Sequence, residues 1–388
     1  MDESLSLGRI AGVRVGLHWS VLVIVVLITV ALAHGRFPAA HPGHSAIVYW
    51  GLGLLTAVVF LGSLLAHELA HAVVARRNGV EVEGITLWML GGAARLRGEA
   101  PSPAAELRIA GVGPLTSLAA GGVLAAAAVG LDALHASGLV VEAVAWLAAI
   151  NVLLAVFNAL PAAPLDGGRL LRAYLWHRTG DRLRAAQGAS AAGRALGWFM
   201  VFTGFADVLF AGNLSGLWPA LIGWFLIAAA TAESRQAQIR GALAGVPVRR
   251  VMTPDPVTVP CGESLSAFLA EGPFGTYRHS AFPVLASDGS VVGMLTVRGV
   301  ESASGQERAR STVRDVMRPL GEVVTAAPDE LVLDLLPRLQ ESPLHRALVL
   351  EQDRLVGILT LADLTRALTW PTEPAGPRDH YPGTPTVQ

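Results

Sequence analysis

A run of 21 residues without a charged side chain, residues 46–66, restricts the fold of this chain more than any other feature of its sequence. About 20 predominantly apolar residues are enough for a helix to cross the hydrocarbon core of a bilayer. The run therefore predicts a membrane-spanning helix. The chain as a whole is 52% hydrophobic and only 15% charged, which excludes an ordinary soluble enzyme.

Six such spans are predicted, and we expect the first to be retained because no signal-peptide cleavage pattern accompanies it. They cover residues 15–35, 46–74, 109–131, 143–165, 195–212 and 214–232. The single cysteine, Cys261, excludes an intrachain disulfide and a cysteine-rich metal site. The net charge of −1 gives no general attraction to nucleic acid, so no nucleic-acid partner is expected.

The second predicted span ends in His67-Glu68-Leu69-Ala70-His71. Ionisable side chains within a membrane span are costly, so their presence there indicates a function. Residues i and i+4 share a helix face, and His67 and His71 can therefore bind one metal ion. Glu68 lies beside that ion and can take a proton from water. The pattern predicts a zinc hydrolase whose active site lies within the membrane.

A catalytic zinc ion usually has three protein ligands and one open position. Asp166 is the third ligand that we favour, because it follows the fourth span at a depth that matches the histidines. Prolines break the helix before it, and Gly167-Gly168 allow close backbone approach. Two alternatives stay open. Asp166 also fits a helix N-cap, and Glu106, although shallow, is a second candidate ligand.

Three further residues are candidates for positioning the substrate: Asn158, Gly91 and Gly92. Asn158 precedes Asp166 by about two helical turns and can hydrogen-bond the substrate backbone or an oxyanion, although a packing amide fits nearly as well. The side chains of residues 83–96 alternate in the pattern of a β-hairpin, with a turn at Gly91-Gly92. An exposed edge of that hairpin could accept an extended substrate strand.

Arginine residues flank the spans asymmetrically. Residues 1–14, 75–108, 169–194 and 235–250 hold nearly all the arginine of this half, whereas residues 35–45, 132–142 and 212–214 contain only Arg36. Basic residues accumulate in cytoplasmic loops. Six spans then place both termini and the submerged histidine site on the cytoplasmic side of a bacterial inner membrane.

From residue 247 the chain becomes water-soluble in character and repeats itself. Val251-Met-Thr-Pro254 recurs as Val316-Met-Arg-Pro319, and Val292-Gly-Met-Leu-Thr296 recurs as Val356-Gly-Ile-Leu-Thr360. The repeat predicts two similar α/β domains, residues 247–303 and 311–369, after a membrane domain of residues 1–240. Residues 371–388, rich in proline and glycine, predict a disordered tail.

These motifs together resemble the site-2 protease family of intramembrane zinc metalloproteases, in its six-span bacterial and archaeal branch with C-terminal CBS domains. The resemblance extends to about residue 369 and rests on Gly16-Leu-His-Trp-Ser20, His67-Glu-Leu-Ala-His71, Gly91-Gly-Ala-Ala-Arg-Leu96, Glu106 with Ala110-Gly-Val-Gly-Pro-Leu-Thr-Ser117, Phe157-Asn158 and Leu165-Asp-Gly-Gly168. The usual Ala-Gly-Pro run is interrupted by Val112-Gly113.

The resemblance implies a multi-pass α-helical membrane protein, with six spans and a small β-hairpin, followed by an α/β tandem CBS domain. It implies His67, His71 and Asp166 as ligands of one Zn²⁺ and Glu68 as the catalytic base. It further implies a substrate that is a membrane-bound, single-span regulator such as an anti-sigma factor.

The repeated half resembles a tandem CBS pair, which implies binding of adenine nucleotides and formation of a homodimer. Such a nucleotide site has an acid after the Gly-x-x-Thr strand, and the second copy here has Asp363 after Thr360. The first copy has Gly299 at the matching place, so a purely structural or dimerising role is an alternative.

Two other functions compete with a protease. A catalytically inactive membrane scaffold or chaperone would not need an intact His-Glu-x-x-His pattern with a later aspartate. A CBS-regulated ion transporter would line several spans with charge, and these spans have little apart from the predicted zinc residues and Asp207.

Overall fold

The computed structural model describes residues 4–89, 91–277, 279–302, 308 and 310–369, and only the backbone of residues 93–97, 368 and 369. It divides into two compact units, Met1–Ala237 and Gln238–Gln388. The tail predicted at residues 371–388 lies outside the described residues.

Across the described residues, six helices are long and apolar enough to cross a membrane, which confirms the predicted multi-pass fold. They are α1 Val21–Ala40, α2 Ala46–Arg77, α3 Pro103–Ala133, α4 Gly138–Ala159, α6 Arg182–Ala211 and α7 Leu217–Leu243, and a shorter helix, α5 Asp166–Thr179, lies between α4 and α6.

The helix ends follow local chemistry rather than the limits of the apolar runs. Helix α3 begins earlier than predicted because Ser102 caps it, accepting a hydrogen bond from the backbone N–H of Ala105 at 3.2 Å, and Pro103 suits the first helical position. Helix α4 ends at Ala159, before the predicted limit, because Pro161 cannot continue it.

The N-terminal segment forms β-strands, so the first membrane helix begins at Val21 and not at residue 15 as predicted. Strands β1 Leu5–Ile10, β2 Val13–Leu17, β3 Glu81–Trp88 and β4 Gly91–Arg97 make one sheet in that order. The predicted hairpin, β3–β4, is therefore only half of a four-stranded sheet. Strand β2 runs parallel to β3, and the other neighbours are antiparallel. Strand β4 lies at an edge of this sheet.

Small residues let the last two membrane helices approach closely. A Cβ atom placed on Gly197 of α6 would lie 2.6 Å from the carbonyl oxygen of Gly223 of α7. In lipid, burial of apolar surface provides no driving force for helix association. Close backbone contact of this kind then supplies the packing energy between helices.

The second unit consists of two similar halves, as the repeat predicts. Its strands are β5 Thr253–Pro254, β6 Val259–Pro260, β7 Ala281–Leu285, β8 Val291–Thr296, β9 Arg318–Pro319, β10 Val324–Ala326, β11 Arg346–Glu351 and β12 Arg354–Thr360. Its helices are α8 Leu265–Ala270, α9 Pro273–Thr276, α10 Val297–Ser302, α11 Val313–Val316, α12 Val332–Glu341 and α13 Leu361–Thr369.

Strand pairing exchanges the ends of the two halves. Strand β5 of the first copy pairs with β12 of the second, and β9 of the second pairs with β8 of the first. The two sheets, β6-β7-β8-β9 and β10-β11-β12-β5, are therefore each built from both copies. Neither copy completes its sheet alone.

Candidate metal centre

Helices α2 and α5 bring three potential ligand atoms together. The Nε2 atoms of His67 and His71 lie 3.2 Å apart, and Oδ2 of Asp166 lies 3.2 Å and 3.1 Å from them respectively. Zinc–nitrogen bonds of about 2.0–2.1 Å in a tetrahedral arrangement separate neighbouring ligands by roughly 3.3 Å. The triangle therefore fits three ligands of one tetrahedral Zn²⁺, and both histidines are buried.

Hydrogen bonds on the far side of each imidazole orient the histidines. Nδ1 of His71 lies 2.6 Å from the carbonyl oxygen of Ile109, and Nδ1 of His67 lies 2.9 Å from Oγ of Ser117. A carbonyl only accepts, so Nδ1 of His71 carries the proton and its Nε2 lone pair is free to bind a metal ion. The ion implied by the ligand set thus has a prepared coordination site.

Helix α3 supplies both of these partners, and Gly113 lies between them. A Cβ atom on Gly113 would overlap Nε2 of His71 and lie 2.7 Å from Nε2 of His67. Positions 109, 113 and 117 share a helix face at intervals of four, as do His67 and His71 on α2. These residues are not predicted from the sequence as part of the site, although the matched spacing on two helices is a signal of it.

Asp166 reaches the histidines because the chain folds back tightly after α4. A Cβ atom on Gly167 would overlap the carbonyl oxygen of Leu160, and one on Gly168 would overlap the backbone nitrogen of Ala163. Asp166 is the first residue of α5, and Leu165 occupies the N-cap position. The structure therefore does not support the N-cap alternative for Asp166.

Glu68 lies next to the ligand triangle and under the start of β4. Gly92 lies directly against its side chain, and a Cβ atom on Gly92 would overlap its Cγ atom and lie 2.9 Å from its Oε1 atom. Gly91 precedes this contact with a φ of +135°, a backbone conformation that favours glycine. Gly91-Gly92, predicted to be the hairpin turn, are instead the first two residues of β4, and Gly92 contacts the proposed base.

Asn158 and Glu106 have different surroundings. Asn158 is half-buried near the end of α4, and its side chain makes no hydrogen bond within the described residues. Glu106 is fully buried, but its Oε1 accepts hydrogen bonds from Arg172, at 2.7 Å from Nε. Glu106 therefore ties α3 to α5 and is not part of the ligand triangle, which answers the open alternative.

Asp363 and Thr360 of the second unit form a compact polar cluster. Oδ2 of Asp363 accepts hydrogen bonds from the backbone nitrogen and Oγ1 of Thr360 at 3.0 and 2.7 Å, and Oδ1 accepts one from Oγ1 of Thr253 at 3.2 Å. In the first copy, a Cβ atom on Gly299 would lie 2.7 Å from the carbonyl oxygen of Val316. An aspartate there would need a backbone shift, so the two copies differ in more than one side chain.

Comparisons with known proteins identify the family of this chain. The model of peptidase family M50 matches residues 55–133 and 120–201, and that of the CBS domain matches residues 248–304 and 313–369. The relative named "Putative zinc metalloprotease Rip3", from Mycobacterium tuberculosis, is 45% identical over 369 residues, which is 95% of this chain and 93% of the relative. The chain belongs to peptidase family M50, the site-2 proteases.

This M50 protease also has a relative and a similar solved structure from another organism. "Zinc metalloprotease MJ0392" of Methanocaldococcus jannaschii is 28% identical over 95% of this chain and 97% of its own length. The solved structure of a site-2 protease from the same organism is 28% identical, covers 60% of this chain and 95% of its own, and superposes with a TM-score of 0.41.

The M50 chain is thus a multi-pass membrane zinc metalloprotease with a C-terminal CBS pair. Family membership decides for an enzyme over the inactive scaffold, and for a protease over the CBS-regulated transporter.

Proposed function

We propose that this M50 protease cleaves peptide bonds within or beside the transmembrane segments of single-span membrane regulators, such as anti-sigma factors. His67, His71 and Asp166 hold the zinc ion, and Glu68 is the catalytic base. The observation that supports this most strongly is the triangle of ligand atoms, 3.1 to 3.2 Å apart, with Glu68 adjacent to His67 in the chain.

Each residue of the centre has a distinct task. When bound, zinc supplies Lewis acidity that activates water and polarises the scissile carbonyl group. Glu68 takes the proton from the attacking water and passes it to the leaving amine. Gly92, which packs directly against the Glu68 side chain, holds the carboxylate in place for both transfers. Ile109 and Ser117 hold the histidine rings.

Strand β4 offers a docking place for the substrate. A transmembrane helix must unwind before its peptide bond is accessible, and an unwound segment in lipid needs hydrogen-bond partners for its backbone. The edge strand β4 begins at Gly91-Gly92, directly against Glu68, and can pair with such a segment by strand addition. We assign Asn158 a supporting role in binding the substrate backbone.

The arginine distribution supports a cytoplasmic site. We place both termini and the CBS pair on the cytoplasmic side of a bacterial inner membrane, because the arginine-rich segments all lie on the side of the termini. Water then reaches the zinc centre from that side.

We further propose that the CBS pair binds adenine nucleotide at one site, lined by Thr360 and Asp363, and that it forms a homodimer. The polar cluster around Asp363 supports this site, and the crowding at Gly299 argues against its counterpart. Titration of the full-length protein with ATP and with AMP should give one site per chain in the wild type and none in Asp363→Ala. A second site, or unchanged binding by the variant, would contradict the assignment.

The protease function is tested with a designed single-span reporter in proteoliposomes. Its apolar helix of about 20 residues carries an Asn-Gly pair near the cytoplasmic end, which favours local unwinding. Zinc-loaded wild type should cut it near that pair, and Glu68→Gln should retain zinc yet be at least about 10²-fold slower. Equal rates for the two proteins would refute the role of Glu68.

A further inference from the structure

Ser20 occupies a helix N-cap position without capping its helix. It directly precedes α1, has helical backbone angles of φ −63° and ψ −14°, and makes no side-chain hydrogen bond to that helix. A serine in this position normally accepts a hydrogen bond from its own helix. Ser20 is buried, and its hydroxyl instead contacts the backbone nitrogen of Met89 at 3.1 Å and Nδ1 of His18 at 2.8 Å.

The directions of these hydrogen bonds follow from the donors available. The backbone N–H of Ser20 donates to Nδ1 of His18 at 3.3 Å, so Nδ1 carries no proton. The Ser20 hydroxyl therefore also donates to Nδ1, and its oxygen accepts from the N–H of Met89. His18 thus fixes the hydroxyl in the orientation that binds Met89.

A second bond joins the same segment to β3. The backbone N–H of His18 donates to the carbonyl oxygen of Leu87 at 2.8 Å. Leu87 pairs with Gly92 across the β3–β4 hairpin, and Met89 lies in the turn between the strands. The segment His18–Ser20 therefore holds the tip of this hairpin on both sides of Trp88.

The same hairpin tip contacts Glu68 through its other arm. Gly92 lies too close to Glu68 for any side chain, since a Cβ atom there would overlap Cγ of Glu68 and lie 2.9 Å from its Oε1 atom. The geometry points to Ser20 as a positioning residue: together with His18, it holds the β3–β4 turn so that Gly92 orients the carboxylate of Glu68. This inference rests on the proposed role of Glu68 as the base.

The experiment compares full-length Ser20→Ala, Ser20→Val and Ser20→Thr with the wild type on the proteoliposome reporter. Valine and threonine have nearly the same shape, so this pair isolates the hydroxyl. Ser190→Ala is the matched control, since Ser190 is a buried serine of α6 whose Oγ has no hydrogen-bond partner within the described residues. Zinc content, melting temperature, kcat and KM are measured for each variant.

We expect Ser20→Ala and Ser20→Val to lower kcat roughly tenfold, with KM unchanged and one zinc ion per chain, because a misplaced base slows only the chemical step. Ser20→Thr and Ser190→Ala should keep kcat within about twofold of the wild type.

A wild-type kcat in both Ser20→Ala and Ser20→Val would overturn the inference. So would an equal loss of kcat in Ser20→Val and Ser20→Thr. A change in KM alone, or a loss of kcat matched by loss of zinc, would overturn it as well. Failure of the wild type itself to cut the reporter would instead contradict the proposed function, and the inference would fall with it.

Discussion

Gly113 faces His71 so closely that a single added methyl group would overlap the Nε2 atom of the imidazole. This contact makes the third membrane helix, which contributes no ligand, a wall of the metal centre. The glycine leaves just enough room for two ring nitrogens to face one ion, and its neighbours one turn away on each side, Ile109 and Ser117, bind the outer nitrogens.

Substitution of Gly113 by alanine should therefore weaken zinc binding. The methyl group must displace His71, His67 or the whole helix, because each ring is already fixed by a hydrogen bond. We expect a loss of affinity of at least about 10²-fold, measured by competition with a chelator. Gly122→Ala is the control, since Gly122 lies in the same helix with nothing within 4 Å of a Cβ atom. Equal zinc affinity in the two variants would refute this role for Gly113.

Removal of the Ser117 hydroxyl should have a smaller effect on the same measurement. Ser117→Ala leaves His67 in place but without its outer partner, and loss of such a partner typically costs about 10–100-fold in metal affinity. The neighbouring Thr116 provides the control, because its hydroxyl bonds to Val112 within its own helix at 2.8 Å. Thr116→Val should bind zinc as the wild type does. A similar loss in both variants would indicate a general effect on α3.

The ion pair between Glu106 and Arg172 should stabilise the membrane unit. Arg172→Met would leave a fully buried carboxylate unpaired, which costs about 3–5 kcal/mol of unfolding free energy. The double variant Glu106→Gln/Arg172→Met should recover much of that loss. Thermal unfolding in detergent measures both.

The control for that prediction is the exposed pair between Arg36 and Glu142. The Arg36 side chain is 53% exposed and its Nε lies 2.6 Å from the Glu142 carboxylate. Exposed pairs contribute about 0–1 kcal/mol, so Arg36→Met should melt within a few degrees of the wild type. Equal destabilisation by Arg36→Met and Arg172→Met would contradict the special role of the buried pair.

The sequence predicted those features that depend on composition and local spacing. Six apolar runs predicted six membrane helices, because length and hydropathy alone meet the requirement of a bilayer. His67 and His71 were predicted to face one ion from their spacing of four. Asp166 was predicted as the third ligand from its depth in the membrane, because the prolines before it end the helix at the level of the histidines.

The features that the sequence did not predict depend on contacts between distant segments. The strand Val13–Leu17 has the alternation of a half-buried strand, with Val13 and Val15 fully buried, but its partner lies near residue 85. Gly113 and Ser117 have no predicted role of their own, and only their position against α2 brings them to the metal centre. The hydroxyl of Ser20 likewise has no predicted role, because its partner Met89 lies 69 residues further along the chain.

Zinc affinity of Asp166→Ala, measured by chelator competition on the full-length protein, tests the central claim most directly. Asp207→Ala is the matched control, because Asp207 is a half-buried carboxylate of α6 that is no part of the ligand triangle. The account predicts one tightly bound zinc ion per chain in the wild type and in Asp207→Ala, and binding at least about 10²-fold weaker in Asp166→Ala. Wild-type affinity in Asp166→Ala would contradict it.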